Sequence, residues 1–485
     1  MFRQGISMYL GIDIGTSAVK LVCADTDGIL AASSVGIETS SPQPGWSEQH
    51  PDIWWQATCD ALNRLARQIT LSEVKAIGLS GQMHGAVLLD RDLRPIRPAI
   101  LWNDSRSVHE CDELRVAQPQ IGQISGVLPL PGFTAPKISW LKKHEPADYA
   151  RLAHILLPKD YIGLCLHGEL ATDTSDAAGT MWLDQASRSW HDGIAEATDV
   201  VLDWLPQIFD GHDPVGTVTA EAAKETGLKP GVPVVAGGGD AATGAVSLGA
   251  TEPGRGFISL GTSGQLFVAD HRYKPNPERY VHAFAHTLPD RWYQMAAMLN
   301  GARPISWIGG QLGLSAAEVV ALAETVNGDR VPVFLPYLTG ERSPLGDPHI
   351  RACFFGLEDS TTRADICRSV VEAIAFCFAD ATQSFGDTID DLPELAAIGG
   401  GSQSNLLLGL IATVTGKPVI RSKGSDSGPA YGAARLAACG VGAFELADLA
   451  FQPETTDRFE PVDPNALHDR LELFRRLYNA VSTVD

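Results

Sequence analysis

The feature that most constrains the fold is a strand–turn–strand segment that occurs twice in the chain. Residues 11–22 (GIDIGTSAVKLV) and 257–268 (FISLGTSGQLFV) each place β-rich sequence on both sides of a Gly-Thr-Ser turn. A match of this length also arises by chance in a chain of 485 residues, but the second copy follows a Gly/Pro-rich break at 250–256. The repeat therefore favours two similar halves, residues 1–249 and 250–485.

Apolar strand patterns alternate with helical patterns along the whole chain. Residues 9–13 and 18–24 are predicted strands, residues 54–69 have helical periodicity, and VKAIGLS at 74–80 is a predicted buried strand. Such alternation is typical of α/β folds. The sequence therefore predicts an α/β protein with two related domains.

The charge balance excludes several classes of partner. With 37 Lys and Arg against 58 Asp and Glu, the net charge is −21, which disfavours nucleic acid as the main partner.

The eight cysteines contain no C-x-x-C pair, so no structural zinc site is expected. No apolar run approaches the ~20 residues of a spanning helix, and the start lacks a signal-peptide pattern. We expect a soluble cytoplasmic protein without a membrane partner.

Three glycine-rich turns could hold the phosphates of a nucleotide, although neither a P-loop nor a G-x-G-x-x-G motif is present. They lie at 13–17, 261–264 and 399–402. Each alone is better explained as an ordinary tight turn, whereas together they favour nucleotide binding through small residues and backbone N–H groups. The candidate residues are Thr16, Ser17, Gly261, Thr262, Gly400, Gly401 and Ser402.

Two aspartates are candidates for the chemistry. Asp240 follows the apolar run VPVVA and precedes a predicted helix, where it could accept a proton from a substrate hydroxyl or simply cap the helix. Asp13 lies in the first repeat, and the corresponding residue of the second repeat is Ser259. One carboxylate is enough to contact one metal ion.

Two polar clusters follow predicted strands and could bind a polyhydroxylated ligand. The first holds Gln82, Met83 and His84, and the second holds Trp102, Asn103 and Asp104. Amide, carboxylate and imidazole groups beside an aromatic wall suit sugar hydroxyls, although two ordinary polar loops remain the alternative. By contrast, His282 lies in VHAFAH, which alternates like a strand and is not typical of a metal site.

Longer strings identify a resemblance to the FGGY family of carbohydrate kinases, over nearly the whole chain. The two signature regions resemble residues 132–144 and 352–376, and further similar strings are SGQMHG, LWNDSR, LLPKDYI, SDAAGTMWLD, FLPYLTGERSP and GPAYGAARLA. Within the family, the chain looks like the members that phosphorylate D-xylulose to D-xylulose 5-phosphate. The resemblance implies an actin-like ATPase fold, in which two ribonuclease-H-like domains enclose a cleft for sugar and ATP.

The resemblance also implies roles for individual residues. Asp240 would be the general base, and Asp13 would lie near Mg²⁺ and the transferred phosphate. The implied sugar site comprises Gln82, Met83, His84, Trp102, Asn103 and Asp104, with Asp240 beside it. Thr16, Gly261 and Thr262 would face the phosphates of ATP. Gly400, Gly401, Ser402 and Asn405 would lie near the adenosine.

One residue departs from the family pattern. Many members that act on D-xylulose have Asn directly after the base, whereas this chain has Ala241. D-ribulose, ribitol or another pentulose or pentitol therefore stays open as the substrate. A non-catalytic sensor of sugar or nucleotide is a further alternative, disfavoured because Asp13 and Asp240 are both present. The resemblance allows a homodimer, but the sequence carries no interface signal.

Overall fold

The computed structural model describes residues 7–326, 330–423, 428–463 and 467–483. The strands are β1 (Met8–Ile14), β2 (Ala18–Ala24), β3 (Ile29–Gly36), β4 (Glu48–Gln49), β5 (Val74–Gly81), β6 (Val87–Leu89), β7 (Ala99–Ile100), β8 (His154–Leu156), β9 (Ala171–Asp173), β10 (Leu183–Asp184), β11 (Ser189–Trp190), β12 (Gln207–Phe209), β13 (Pro214–Thr217), β14 (Pro233–Val235), β15 (Gly238–Gly239), β16 (Gly256–Leu260), β17 (Gly264–Asp270), β18 (Val281–Ala285), β19 (Trp292–Met298), β20 (Val333–Leu335), β21 (Cys353–Phe355), β22 (Leu395–Ile398), β23 (Val419–Ser422) and β24 (Thr455–Phe459).

The helices connect and cover these strands. They are α1 (Pro51–Leu65), α2 (Val108–Ala117), α3 (Ile121–Ser125), α4 (Thr134–His144), α5 (Pro146–Tyr149), α6 (Pro158–His167), α7 (Thr174–Ala178), α8 (Asp192–Ala197), α9 (Ala220–Thr226), α10 (Asp240–Ser247), α11 (Arg303–Leu312), α12 (Ala316–Glu324), α13 (Arg363–Gln383), α14 (Asn405–Thr415), α15 (Gly428–Gly440) and α16 (His468–Val481).

The first large sheet has the strand order β13-β14-β5-β1-β2-β3, with β15 also paired to β5. Strand β1 lies between antiparallel β2 and parallel β5. All seven residues of β1 are buried, as expected for a central strand with helices on both faces. The parallel pairing brings the ends of β1 and β5 to the same edge of the sheet.

The second large sheet repeats this arrangement. Its order is β18-β19-β17-β16-β22-β23-β24, and β16 pairs antiparallel with β17 and parallel with β22. The two Gly-Thr-Ser segments therefore form equivalent hairpins, and each hairpin begins its own sheet. The predicted two-domain α/β fold is confirmed, and the boundary proposed near residue 250 falls between the two sheets.

Helix α15 belongs to the second half of the sequence but packs on the first sheet, against β1, β2 and β5, and on α10. The approach is so close that side chains are excluded. A Cβ atom on Gly11 would lie 1.8 Å from the Ala430 carbonyl oxygen, and one on Gly432 would lie 1.8 Å from the Thr243 carbonyl oxygen. Glycine is required at both positions because backbone meets backbone there.

The core of the second half is organised around α13, a helix of 21 residues. Its start is fixed by a capping box in which Thr362 and Asp365 each satisfy the other's backbone N–H. Among the described residues, no single helix is long and apolar enough to cross a membrane; α11 and α12 pass that test only as a pair bent by 92°. The predicted helix at 54–69 forms as α1 and ends at Leu65.

Candidate functional site

A cavity of about 880 Å³ opens between the two sheets. One wall comes from the first half of the chain and includes Met83, His84, Trp102, Asn103, Asp104 and Asp240. The opposite wall comes from the second half and includes Gln265, Tyr280, His282 and Arg342. The structure thus brings the predicted base and the two predicted polar clusters, apart from Gln82, together around one cavity.

Asp240 is the first residue of α10, and the N-cap of that helix is Gly239. Strand β15 pairs with the end of β5, which places Asp240 at the sheet edge and on the cavity. The alternative in which Asp240 serves as a structural N-cap is therefore wrong.

Asp13 lies on β1, opposite Ser80 of β5. Strand β5 also pairs with β15, which directly precedes Asp240. Its side chain is buried, and its Oδ1 atom has no hydrogen-bond partner in the described part of the chain. Burial raises the pKa of Asp13 to about 6, which outweighs the lowering by the Ser80 hydroxyl and by Lys20. An unpaired buried carboxylate oxygen of this kind is unfavourable unless a ligand or ion contacts it.

The two carboxylates influence each other. Asp240 is open to the cavity, yet protein atoms surround it on the other sides. This desolvation, together with the negative charge of Asp13, raises the pKa of Asp240 to about 7. A carboxylate with a pKa near neutrality is suited to take up a proton during a reaction.

His84 follows β5 in a left-handed conformation, with φ of 70°. Its Nδ1 atom lies 2.7 Å from the Gly179 carbonyl oxygen. Because a carbonyl only accepts, Nδ1 must carry the proton and donate. Burial lowers the pKa of His84 to about 3, against the raising effect of that hydrogen bond. The imidazole is therefore neutral, and its Nε2 atom is left as an acceptor.

Thr16 and Gln82 lie near the site and are hydrogen-bonded to each other. The Thr16 hydroxyl donates to Gln82 Oε1 at 2.9 Å and accepts from the Trp102 indole N–H at 2.9 Å. The Gln82 amide also donates to Gln49 at 3.2 Å. Thr16 reaches the cavity, whereas Gln82 lies behind the wall and positions Thr16 and, through it, Trp102.

Asp104 lies on the cavity wall, but its carboxylate is already well supplied with donors. It accepts from the Ser47 N–H at 2.6 Å and from the Arg106 guanidinium at 2.7 Å. The Arg106 guanidinium also stacks 3.6 Å from the Trp46 ring centre. We infer that Asp104 fixes the shape of this wall, while the neighbouring Asn103 and Trp102 present free surface to a ligand.

The second glycine turn is held from beneath. The Gly261 carbonyl accepts from the Ala302 N–H at 2.7 Å, and the Thr262 carbonyl accepts from Gly301 at 3.1 Å. These bonds fix the turn to the start of α11 and leave the exposed Thr262 side chain available. The turn is therefore fixed in position, and its phosphate-binding role stays a prediction.

The third glycine turn separates β22 from α14. Residues Gly400–Gln403 form a 3₁₀ turn, and α14 begins at Asn405. The Ser402 carbonyl and the Asn405 side-chain oxygen both accept from Arg421, at 2.7 and 2.9 Å. Gly400 and Asn405 are exposed, so this turn has an open face on which a planar ring could rest.

A buried ionic cluster supports Asp240 from below. The Lys159 ammonium lies 2.6 Å from Asp160 and 3.0 Å from Asp173, and all three side chains are shielded from solvent. Asp173 in turn accepts from the Ser175 hydroxyl at 2.6 Å, and that hydroxyl accepts from the Gly239 N–H at 3.0 Å. The strings LLPKDYI and SDAAGTMWLD thus meet beneath the residue that precedes Asp240.

The sequence analysis missed the cavity wall contributed by the second half. His282 was interpreted as an ordinary strand histidine; it does lie on β18, but it also lines the cavity. Gln265 and Arg342 were not singled out at all. Arg342 lies within FLPYLTGERSP, so the resemblance contained a signal, but no periodicity or motif chemistry pointed to it.

Comparisons with known proteins agree with this geometry. Residues 8–247 match the N-terminal domain of the FGGY family of carbohydrate kinases, and residues 256–441 match its C-terminal domain. The chain is 41% identical to the xylulose kinase of Escherichia coli (strain K12), covering 97% of this chain and 98% of that one. It is 42% identical to that of Klebsiella pneumoniae, covering 89% of each.

Solved structures show the same fold. The crystal structure of xylulose kinase from Rhodospirillum rubrum has a TM-score of 0.89 and 30% sequence identity, covering 98% of each chain. These full-length similarities agree with the observed fold, in which each of two sheets begins with a hairpin and a cavity lies between them. The chain belongs to the FGGY family of carbohydrate kinases.

Proposed function

We propose that this carbohydrate kinase transfers the γ-phosphoryl group of ATP to the terminal hydroxyl of D-xylulose, giving D-xylulose 5-phosphate. The observation that carries the proposal is the Asp240 carboxylate, which lines the same cavity as Met83 and His84. The relatives that are similar over nearly their full length are xylulose kinases, which supports this choice of sugar.

In this mechanism Asp240 accepts the proton of the terminal hydroxyl as that oxygen attacks the γ-phosphorus. The bond from the γ-phosphorus to the oxygen that bridges it to the β-phosphate breaks, and ADP leaves with the electron pair. Most of the rate enhancement comes from alignment and electrostatic stabilisation, as is general for phosphoryl transfer. The pKa of about 7 keeps a useful fraction of Asp240 ionised at neutral pH.

The residues present fit a magnesium ion bound with ATP. Asp13 offers an oxygen without a hydrogen-bond partner among the described residues, and no cluster of three or more metal-ligating side chains is found in them. One carboxylate, with phosphate oxygens and water completing the shell, is the usual mode for Mg²⁺ in such sites. The ion would supply positive charge to the phosphates.

The phosphates would lie between the two hairpin turns, and the adenosine along the second half of the chain. Thr16, Ser17, Gly261 and Thr262 would face the phosphates, and Gly400, Gly401, Ser402 and Asn405, at the turn before α14, would contact the adenosine. A cytoplasmic location and a homodimer stay predictions.

A second candidate substrate is supported by Ala241. This residue lines the cavity directly after Asp240, and its methyl group provides no hydrogen bond where an amide could contact a sugar hydroxyl. Another pentulose, such as D-ribulose, or a pentitol such as ribitol therefore remains a candidate.

The test is an ADP-release assay with MgATP over D-xylulose, D-ribulose, L-ribulose, L-xylulose, ribitol, xylitol and glycerol. We expect the largest kcat/KM for D-xylulose. Preference for another sugar would move the substrate and leave the mechanism in place. No turnover with any of them would contradict the kinase mechanism for these sugars and favour a sensor.

A further inference from the structure

The second-half wall of the cavity carries a positive charge without an anionic partner. Within the described residues, the Arg342 guanidinium has no carboxylate within 4.0 Å and no hydrogen-bond acceptor, although it faces the cavity. The residue is half-buried, and desolvation lowers its pKa against the raising effect of the neighbouring Glu341 carboxylate. An arginine so placed is normally paired, because even partial desolvation of a charge without a partner is costly. This points to a ligand that completes its hydrogen bonds.

The loop holds Arg342 in place on both sides. The Glu341 carboxylate accepts from the Arg342 N–H at 2.8 Å and from the Leu299 N–H at 2.6 Å. The Ser343 hydroxyl donates to the Tyr280 carbonyl at 2.5 Å. The backbone at Arg342 is thus fixed before any ligand arrives, which reduces the entropy lost on binding.

Two neutral imidazoles lie within the electrostatic reach of this guanidinium. Burial lowers the pKa of both His84 and His282, and the charge of Arg342 lowers each further. His84 presents Nε2 as an acceptor, since its Nδ1 donates to Gly179. Both ring nitrogens of His282 are buried and lack partners in the described part of the chain. Donor and acceptor groups therefore line the same cavity.

Arg342, His84 and His282 line the same cavity as Asp240. The Phe133 ring contacts both imidazoles, with its centre 4.5 Å from that of His84 and 5.6 Å from that of His282. A ligand that presents its terminal hydroxyl to Asp240 in this cavity could extend its other end towards Arg342.

The 1-hydroxy-2-ketone end of a ketose matches the donor of Arg342 and the acceptor of His84. It offers a carbonyl oxygen that only accepts and a hydroxyl that donates. We propose that Arg342 determines specificity for ketoses over alditols: its guanidinium donates to the C2 carbonyl oxygen while His84 Nε2 accepts from the C1 hydroxyl. This proposal rests on the proposed phosphorylation of a ketose and adds the residue that recognises the keto group.

The test compares D-xylulose with xylitol, which has an alcohol in place of the ketone. Dissociation constants for both are measured by titration calorimetry on wild-type protein, Arg342→Met and Arg342→Lys, with KM for ATP measured in parallel. The matched control is Arg351→Met, an exposed arginine whose guanidinium contacts only backbone carbonyls among the described residues.

We expect Arg342→Met to weaken D-xylulose binding by about 10- to 100-fold, the range for a hydrogen bond to a charged group. Xylitol should lose less, and KM for ATP should not change. Arg342→Lys, which keeps the charge but not the forked geometry, should fall between. Arg351→Met should match the wild type, and melting curves check that each variant is folded.

Three results would overturn the proposal: unchanged D-xylulose binding, an equal loss for ketose and alditol, or a raised KM for ATP with sugar binding intact. If the wild type uses a different ketose, the same comparison is made with that ketose and its alditol. A wild type that prefers a pentitol would overturn this proposal. A wild type inactive on D-xylulose but active on another ketose would overturn only the choice of sugar.

Discussion

The two hairpins that begin the two sheets share a backbone plan and differ in chemistry. In the first, Asp13 pairs across the strands with Lys20; in the second, Ser259 pairs with Gln265. The first connection has one more residue between its last paired positions than the second, since Ile14 pairs with Val19 and Leu260 with Gly264.

Because of this difference of one residue, the residue opposite Ser259 is Gln265, so their side chains lie on the same face of the sheet. Gln265 also lines the cavity. The repeat preserves the scaffold and assigns the carboxylate to one copy only. Equivalent backbone positions therefore need not have equivalent chemical roles.

The largest effect should come from Asp240, which lies on the side of the first hairpin. Asp240→Asn should lower kcat by about 10³- to 10⁴-fold, because the base is lost while the shape of the cavity is kept. D-xylulose binding, measured by calorimetry, should remain. The matched control is Asp192→Asn, since Asp192 is also the exposed first residue of its helix but does not line the cavity. Turnover by Asp240→Asn within tenfold of wild type would contradict its assignment as the base.

The next effect tests the hairpins directly. Asp13→Asn should lower kcat by about 10²- to 10³-fold, because it removes the carboxylate proposed to face Mg²⁺ and the phosphates. Ser259→Ala, at the equivalent position, should change kcat by about twofold or less. Steady-state rates at saturating MgATP decide the comparison. Similar losses for both variants would show that the two hairpins share the chemistry.

A smaller effect concerns the contact between the halves. Gly432→Ala should destabilise the protein by about 1–3 kcal/mol, because its Cβ atom would lie 1.8 Å from the Thr243 carbonyl oxygen. Gly244→Ala is the control within α10, where nothing lies within 4 Å of the added Cβ atom. That change should be neutral or slightly stabilising. Chemical unfolding curves measure both, and an unchanged Gly432→Ala would contradict the close packing of α15.

The smallest effect is a shift in pH dependence. Because Asp240 must be ionised to accept a proton, kcat/KM should rise with pH and level off above its pKa of about 7. Burial is the larger cause of that raised pKa and Asp13 the second. Asp13→Asn should therefore move the midpoint to lower pH by less than about one unit. A midpoint that moves upward would contradict the repulsion between the two carboxylates.

Much of the first half of the site could be predicted from sequence. Asp13 lies near the end of β1 and Asp240 follows β15; the repeated Gly-Thr-Ser turn marked the first as a candidate, and the change from strand to helix marked the second. The N-cap alternative for Asp240 was wrong because the helix begins one residue earlier than capping by Asp240 requires. Gln82 was placed among ligand contacts, but polar side chains near a site also satisfy one another, as its bond to Thr16 illustrates.

The other wall could not be predicted because its residues are brought together by tertiary packing. Arg342 lies in a loop without periodicity, and His282 alternates with apolar residues as any strand residue does. The crossing of α15 onto the first sheet was equally hidden. Its small residues are compatible with many packing partners, and the order of the sequence places it with the second half.

The position of α15 has a consequence for how the chain can be divided. Its residues Ala430, Ala434 and Ala437 are buried in one cluster with Tyr9, Val22 and Ala76 of the first sheet. A fragment ending near residue 249 would leave that apolar face uncovered, and such faces cause aggregation. We therefore expect the isolated first half to be insoluble alone and to be rescued by co-expression with residues 250–485, although most of the proposed sugar-binding wall belongs to the first fragment.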